Sequence, residues 1–103
     1  MRYLKLSEVC LRLEVDEALL RTLQEEGLIQ VKRTAEEEPV ISVADAERLR
    51  VSLVLLREMD VNLAGVEVVL QMREHLQAMQ RQFDEILRSL VEELRKRVGH
   101  SQE

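Results

Sequence analysis

The sequence has no tryptophan and a single residue each of tyrosine, phenylalanine, cysteine and proline. With Tyr3 and Phe83 as its aromatic residues, the core must be aliphatic. A core of that kind is modest in a small domain, and pairing with a second copy would bury more surface. The lone Cys10 excludes an intrachain disulfide and leaves a cysteine-based metal cluster short of ligands. No apolar run approaches the ~20 residues a bilayer span requires, and the first residues lack a signal-peptide pattern, so a cytoplasmic protein is expected. Also missing are a glycine-rich phosphate loop, a serine or cysteine paired with a base, and a metal-ligand cluster. No enzymatic activity, cofactor or small-molecule ligand is therefore expected. Cys10 reads as a core thiol, His75 as an exposed helical residue without Cys or His at ligand spacing, and His100 as part of the tail.

What is present points to one compact domain with at most one extension: 103 residues, 46% hydrophobic and 34% charged. The net charge of −5 argues against a general nucleic-acid binder, although a locally basic face could coexist with it.

Along the chain, Tyr3-Leu4-Lys5-Leu6 alternates weakly, as a short strand would. Ser7 is the expected N-cap of a helix through about Leu13, with Glu8 in its first turn and Val9, Cys10 and Leu13 on one side. Asp16 is the expected N-cap of a second helix carrying Ala18, Leu19, Leu20 and Leu23, and Gly27 its left-handed terminator. So short a connection predicts a helix-turn-helix. Leu28–Lys32 and Pro39–Ile41 read as two strands of a hairpin, a wing, joined by the acidic tract Glu36-Glu37-Glu38. Ser42 should cap a third helix that turns Val43, Ala46, Leu49, Leu53, Leu56 and Met59 toward the core. Asp60-Val61-Asn62 interrupts it, and Asn62 can cap a fourth.

Beyond Leu63, the residues Leu76, Met79, Phe83, Ile86 and Leu90 recur at spacings of three, four, three and four. That is a heptad-like seam, which Leu94 and Val98 extend with a shift of phase. Two coverings suit it: a second copy of the helix or the chain's own domain. The dimer is favoured because little of the chain remains to cover so long a helix. Met72 and Met79 read as seam packing. Gly99 and the residues after it read as a frayed end. The expected organisation is a winged helix-turn-helix over residues 1–62, then a fourth helix and a C-terminal dimerisation helix over 63–103. The fold class is mainly α with a small β-wing.

This order of elements resembles the MerR family. Glu26-Gly27-Leu28-Ile29 resembles that family's end of the recognition helix, Arg33 its basic position beyond the turn, and Asp45 with Arg48-Leu49-Arg50 its third-helix opening. Asn62-Leu63-Ala64-Gly65-Val66 is similar to the fourth-helix start in heat-shock regulators of the superfamily. The resemblance covers about the first 75 residues and implies DNA binding. The departures fall on the DNA-contacting positions. Where the family usually has Arg-Tyr-Tyr-Glu, this chain has Arg21-Thr22-Leu23-Gln24. Where the wing usually reads Gly-Tyr-Arg-x-Tyr, it has Glu37-Glu38-Pro39-Val40-Ile41. Residues 16–38 hold Arg21, Lys32 and Arg33 against Asp16, Glu17, Glu25, Glu26, Glu36, Glu37 and Glu38, a balance of −4. Affinity for a duplex comes largely from Lys and Arg on phosphates, so this reading head should repel one.

The chain is also similar to the chaperone modulator CbpM family, short MerR-like proteins with a diverged wing that restrain a DnaJ-type co-chaperone. The stretch from Arg57 through Met59-Asp60-Val61-Asn62 to Leu70 and the opening Leu6-Ser7-Glu8-Val9-Cys10 carry this resemblance. It implies a J-domain partner with a strongly basic second helix, which an acidic face would complement. The partner surface expected on that basis is Asp16, Glu17, Glu25, Glu26, Glu36, Glu37 and Glu38, with the wing glutamates equally readable as a solvated turn. The expected dimer interface is Leu76, Met79, Phe83, Ile86, Leu90 and Leu94. The alternative is a MerR-type transcription factor using Arg21, Lys32 and Arg33 on DNA. Arg21 also reads as an ion-pair partner of Glu17 or Glu25, each four residues away. The effector-sensing domain of drug-responsive MerR relatives is not expected.

Overall fold

The computed structural model describes residues 2–101. In chain order it forms β1 (Tyr3–Lys5), α1 (Leu6–Leu13), α2 (Glu17–Glu25), β2 (Val31–Arg33), β3 (Pro39–Ser42), α3 (Val43–Arg57) and α4 (Leu63–Ser101). This is a mainly helical winged helix-turn-helix with a small sheet and a long C-terminal helix.

β1 does not stand apart: it pairs antiparallel with β3, which lies between β1 and β2. Ile41 is fully buried, with half-buried Leu4 and Val31 opposite it on the two neighbouring strands. Pairing of Lys5 with Val40 holds position 5 extended, so α1 begins at the next residue. Lys5 is thus the N-cap, without a side-chain bond, and Ser7 lies inside the first turn instead of capping it. β2 is also shorter than expected. Leu28 and Ile29 are buried in the core, and the Leu28 amide and carbonyl bond to Leu23 O (2.9 Å) and Arg48 Nε (2.7 Å), leaving no ladder role.

Residues 14–16 separate α1 from α2. Glu14, in the left-handed region at φ 55°, ends α1, and the Asp16 carboxylate accepts from the Leu19 amide at 2.8 Å to start α2. At the far end Gly27 takes φ 74°, with its amide on Gln24 O and the Leu28 amide on Leu23 O. That pair of bonds satisfies carbonyls the helix end would otherwise leave open.

Ser42 caps α3 as expected, its hydroxyl accepting from the Asp45 amide at 3.0 Å. The buried stripe of α3 is Leu49, Leu53 and Leu55, joined by Ser52, whose hydroxyl donates to Arg48 O at 2.7 Å. Two residues expected in that stripe are exposed. Val43 sits where the chain leaves the sheet, its amide bound to Arg2 O, and Met59 falls beyond the last residue of α3. Asp60 then reverses the chain at φ 55°, and Asn62 Oδ1 accepts from the Gly65 amide at 2.8 Å, opening α4.

The core joins Val9, Leu23, Leu28, Ile29, Ile41, Leu49, Leu53, Leu55, Val66 and Leu70. All lie in the first of two compact units, Met1–Leu70; the second is Gln71–Glu103. The first unit thus takes in the opening turns of α4 as well as the segment before Leu63. α4 runs 39 residues without a break. It continues through Gly99 to Ser101 where fraying was expected from Gly99 onward, while Gln102 and Glu103 lie outside the described residues.

Candidate interaction surface on the reading head

The wing turn is built from Thr34 outward. Its amide donates to Glu38 O at 3.0 Å, its carbonyl accepts from the Glu37 amide at 2.9 Å, and its hydroxyl accepts from the Glu38 amide at 3.2 Å. This is a short hairpin loop that ends in a left-handed residue, and that residue is Glu37, at φ 66°. A non-glycine residue in this region costs about 1–2 kcal/mol. Glu36, Glu37 and Glu38 are all exposed on this turn.

The wing's basic residues are engaged within the wing and sheet. Arg33 donates from its guanidinium to Glu37 O at 2.9 Å. Lys32 places its ammonium 3.3 Å from the Tyr3 hydroxyl and 5.7 Å from that ring's centre. Lys5 pairs with Glu38 at 3.7 Å. Tyr3 and Lys5 were absent from the sequence-based site because nothing there indicated that β1 joins the wing sheet.

On α2, Glu17, Arg21 and Glu25 are exposed. Among the described residues Arg21 forms no ion pair with either glutamate, contrary to expectation; at an exposed site the entropy of holding two long side chains offsets the attraction. Asp16 and Glu26 flank α2 at its two ends, about 15 Å apart at 1.5 Å per residue. The four carboxylates therefore form two pairs, Asp16 with Glu17 and Glu25 with Glu26, at opposite ends of the helix. One Asp16 oxygen is occupied by its own helix start. Leu23, which stands in the recognition helix where the resemblance expects a contact residue, is 0% exposed and belongs to the core.

Two arginines that read in the sequence only as parts of family motifs, without a structural role, fix the reading head on α3. Arg48 donates to Leu28 O, and Arg57 spreads its guanidinium over Leu13 O (2.9 Å) and Glu14 O (2.5 Å). No group of three or more His, Cys, Asp or Glu residues suited to a metal is found among the described residues.

The second unit carries the other expected surface. Leu76, Met79, Phe83, Ile86, Leu90 and Leu94 are each more than half exposed in the single chain, as is Val98. His75 is exposed. Cys10 is a half-buried free thiol whose pKa is pushed up by burial. No helix is long and apolar enough to cross a membrane among the described residues.

The family profile described as MerR HTH family regulatory protein matches residues 4–89. The chain belongs to this family. No curated protein matches it. The MerR match spans the reading head, α3 and more than half of α4, so it takes in most of the exposed seam as well as the wing.

Proposed function

We propose that this MerR-family chain is a chaperone modulator. Its acidic helix-turn-helix and wing bind the J-domain of a DnaJ-type co-chaperone and restrain its work with a DnaK-type chaperone. It acts as a homodimer through α4, by binding alone, with no catalytic step, cofactor or metal. The observation that carries this reading is the division of charge on the reading head. Arg33 and Lys32, themselves exposed, bond to Glu37 O and Tyr3, and Glu38 pairs with Lys5, while Asp16, Glu17, Glu25, Glu26, Glu36 and Glu37 are exposed. Such a surface attracts a basic helix and raises its encounter rate. Reversing Glu25 and Glu26 to Lys should weaken J-domain binding about tenfold or more; unchanged affinity would move the site elsewhere.

A second reading, a transcription regulator binding an inverted repeat as a dimer, has a specific observation in its favour. The family profile is that of helix-turn-helix regulators, and Arg21 stands exposed on α2. That reading requires a shifted band with upstream DNA at low salt, lost steeply as salt rises. The chaperone reading requires that no specific band form.

A further inference from the structure

A groove between the end of α1 and one face of α3 has the opposite charge to the reading head. Arg50 and Arg57 stand on that face of α3 with Leu53 and Val54 between them, and Arg12 stands in the last turn of α1. With Leu13, these side chains line an open groove of about 210 Å3. Two of the three guanidinium groups are fixed in place. Arg57 bonds Leu13 O and Glu14 O, and Arg50 holds both Glu47 carboxylate oxygens, at 2.6 and 3.1 Å. A guanidinium has five N–H donors, so each of these two keeps unused ones. The carbonyls orient Arg57 without cancelling its charge. Among the described residues Arg12 makes no hydrogen bond or ion pair. Glu58 also lines the groove, and Glu47 is already paired with Arg50. The three cations still outnumber these two carboxylates, in a chain whose net charge is −5.

We infer that this groove docks an acidic peptide segment of a partner protein, one with carboxylates on either side of an aliphatic residue. Arginine suits that role because its planar fork takes a carboxylate by two parallel bonds. Buried Leu53 and half-buried Leu13 and Val54 give the groove an apolar floor between the cations. An inorganic anion would leave that floor in water, and a nucleic-acid backbone brings no aliphatic group to cover it. The volume lies below the ~300–1,000 Å3 of small-molecule pockets, which fits a side-chain anchor better than a metabolite. At long range the net charge of the chain repels such a peptide, so binding must come from local contacts. The docking site goes beyond the chaperone reading and does not rest on it, since none of its residues belongs to the acidic surface.

The test titrates the full chain, labelled with 15N, with the acetylated peptide Glu-Glu-Leu-Glu-Glu and follows the backbone amides by NMR. Shifts should concentrate at residues 10–14 and 50–58. A control peptide with Gln in place of every Glu should bind far more weakly. Arg12→Glu, at an exposed position, should weaken binding roughly fivefold or more. Glu58→Gln should tighten it, because a like charge leaves the groove; lost packing alone would not produce that change of sign. No shift at ~1 mM peptide, shifts confined to other residues, or equal binding of the control would overturn the inference. So would unchanged affinity in Arg12→Glu, or a short DNA duplex moving the same amides where the peptide does not. A J-domain titration with no heat, alongside peptide shifts in the groove, would sink the chaperone reading and leave this site standing.

Discussion

The Arg33 guanidinium donates to the Glu37 carbonyl oxygen at 2.9 Å, across the loop that the left-handed Glu37 closes. A residue that a DNA-binding wing would extend toward phosphate is here bonded to the wing's own backbone. The left-handed backbone at Glu37 opposes folding by about 1 kcal/mol or more, since its Cβ crowds the neighbouring carbonyl. Glu37→Gly should therefore raise stability by about 1 kcal/mol, or ~5 °C in a thermal melt at fixed concentration. A lowered melting temperature would mean that Glu37 makes a compensating contact.

Gly65 lies in the first turn of α4, where a Cβ would come 2.6 Å from Val61 Cγ1 and 3.3 Å from Asn62 Oδ1. In an open helix Gly→Ala stabilises by about 1 kcal/mol. Here Gly65→Ala should instead destabilise by a similar amount, because Val61 and the capping Asn62 must move. Chemical denaturation checks the sign, and a companion Val61→Ala change should recover part of the loss.

Arg57 closes the end of α1 from the end of α3, bonding Leu13 O and Glu14 O from one guanidinium. Arg57→Ala should lower stability by about 1 kcal/mol, the low end for a charged donor because the site is exposed. Arg57→Lys should not restore it, since an ammonium lacks the planar fork that spans two carbonyls. Hydrogen exchange at the α1–α2 turn, faster in both variants than in the parent, would report the loosened junction.

The Cys10 thiol is pushed up in pKa by burial. A raised folded-state pKa favours the neutral thiol, so its contribution is complete below the unfolded thiol's pKa and is lost as pH rises through the folded value. Two results should follow. Alkylation by iodoacetamide at pH 8 should be slower in the folded chain than in urea, and Cys10→Ser should flatten the fall in stability at alkaline pH.

Where local chemistry decides the backbone, the sequence was legible. Asp16, Ser42 and Asn62 each bond the amide three residues on, and Gly27 supplies the left-handed turn after α2. Each of these follows from one side chain acting over a few residues. The misread features depend on distant residues. Ser7 is a good cap in isolation, but pairing of Lys5 with Val40 starts α1 earlier. Leu28 and Ile29 have strand character, yet burial and Arg48 remove them from the ladder. For the interaction surface the charges were countable from sequence. Their engagement was not, because Lys32 on Tyr3 and Lys5 on Glu38 require the β1–β3–β2 order.

On the proposed function, the acidic reading head recognises a basic protein surface. Calorimetric titration of the full chain with the J-domains of its host tests this most directly. Saturable binding to at least one J-domain is expected, weakening as salt rises and falling about tenfold in the Glu25→Lys, Glu26→Lys double variant. No heat with any of them at ~100 μM, together with a specific band on upstream DNA at low salt, would contradict it.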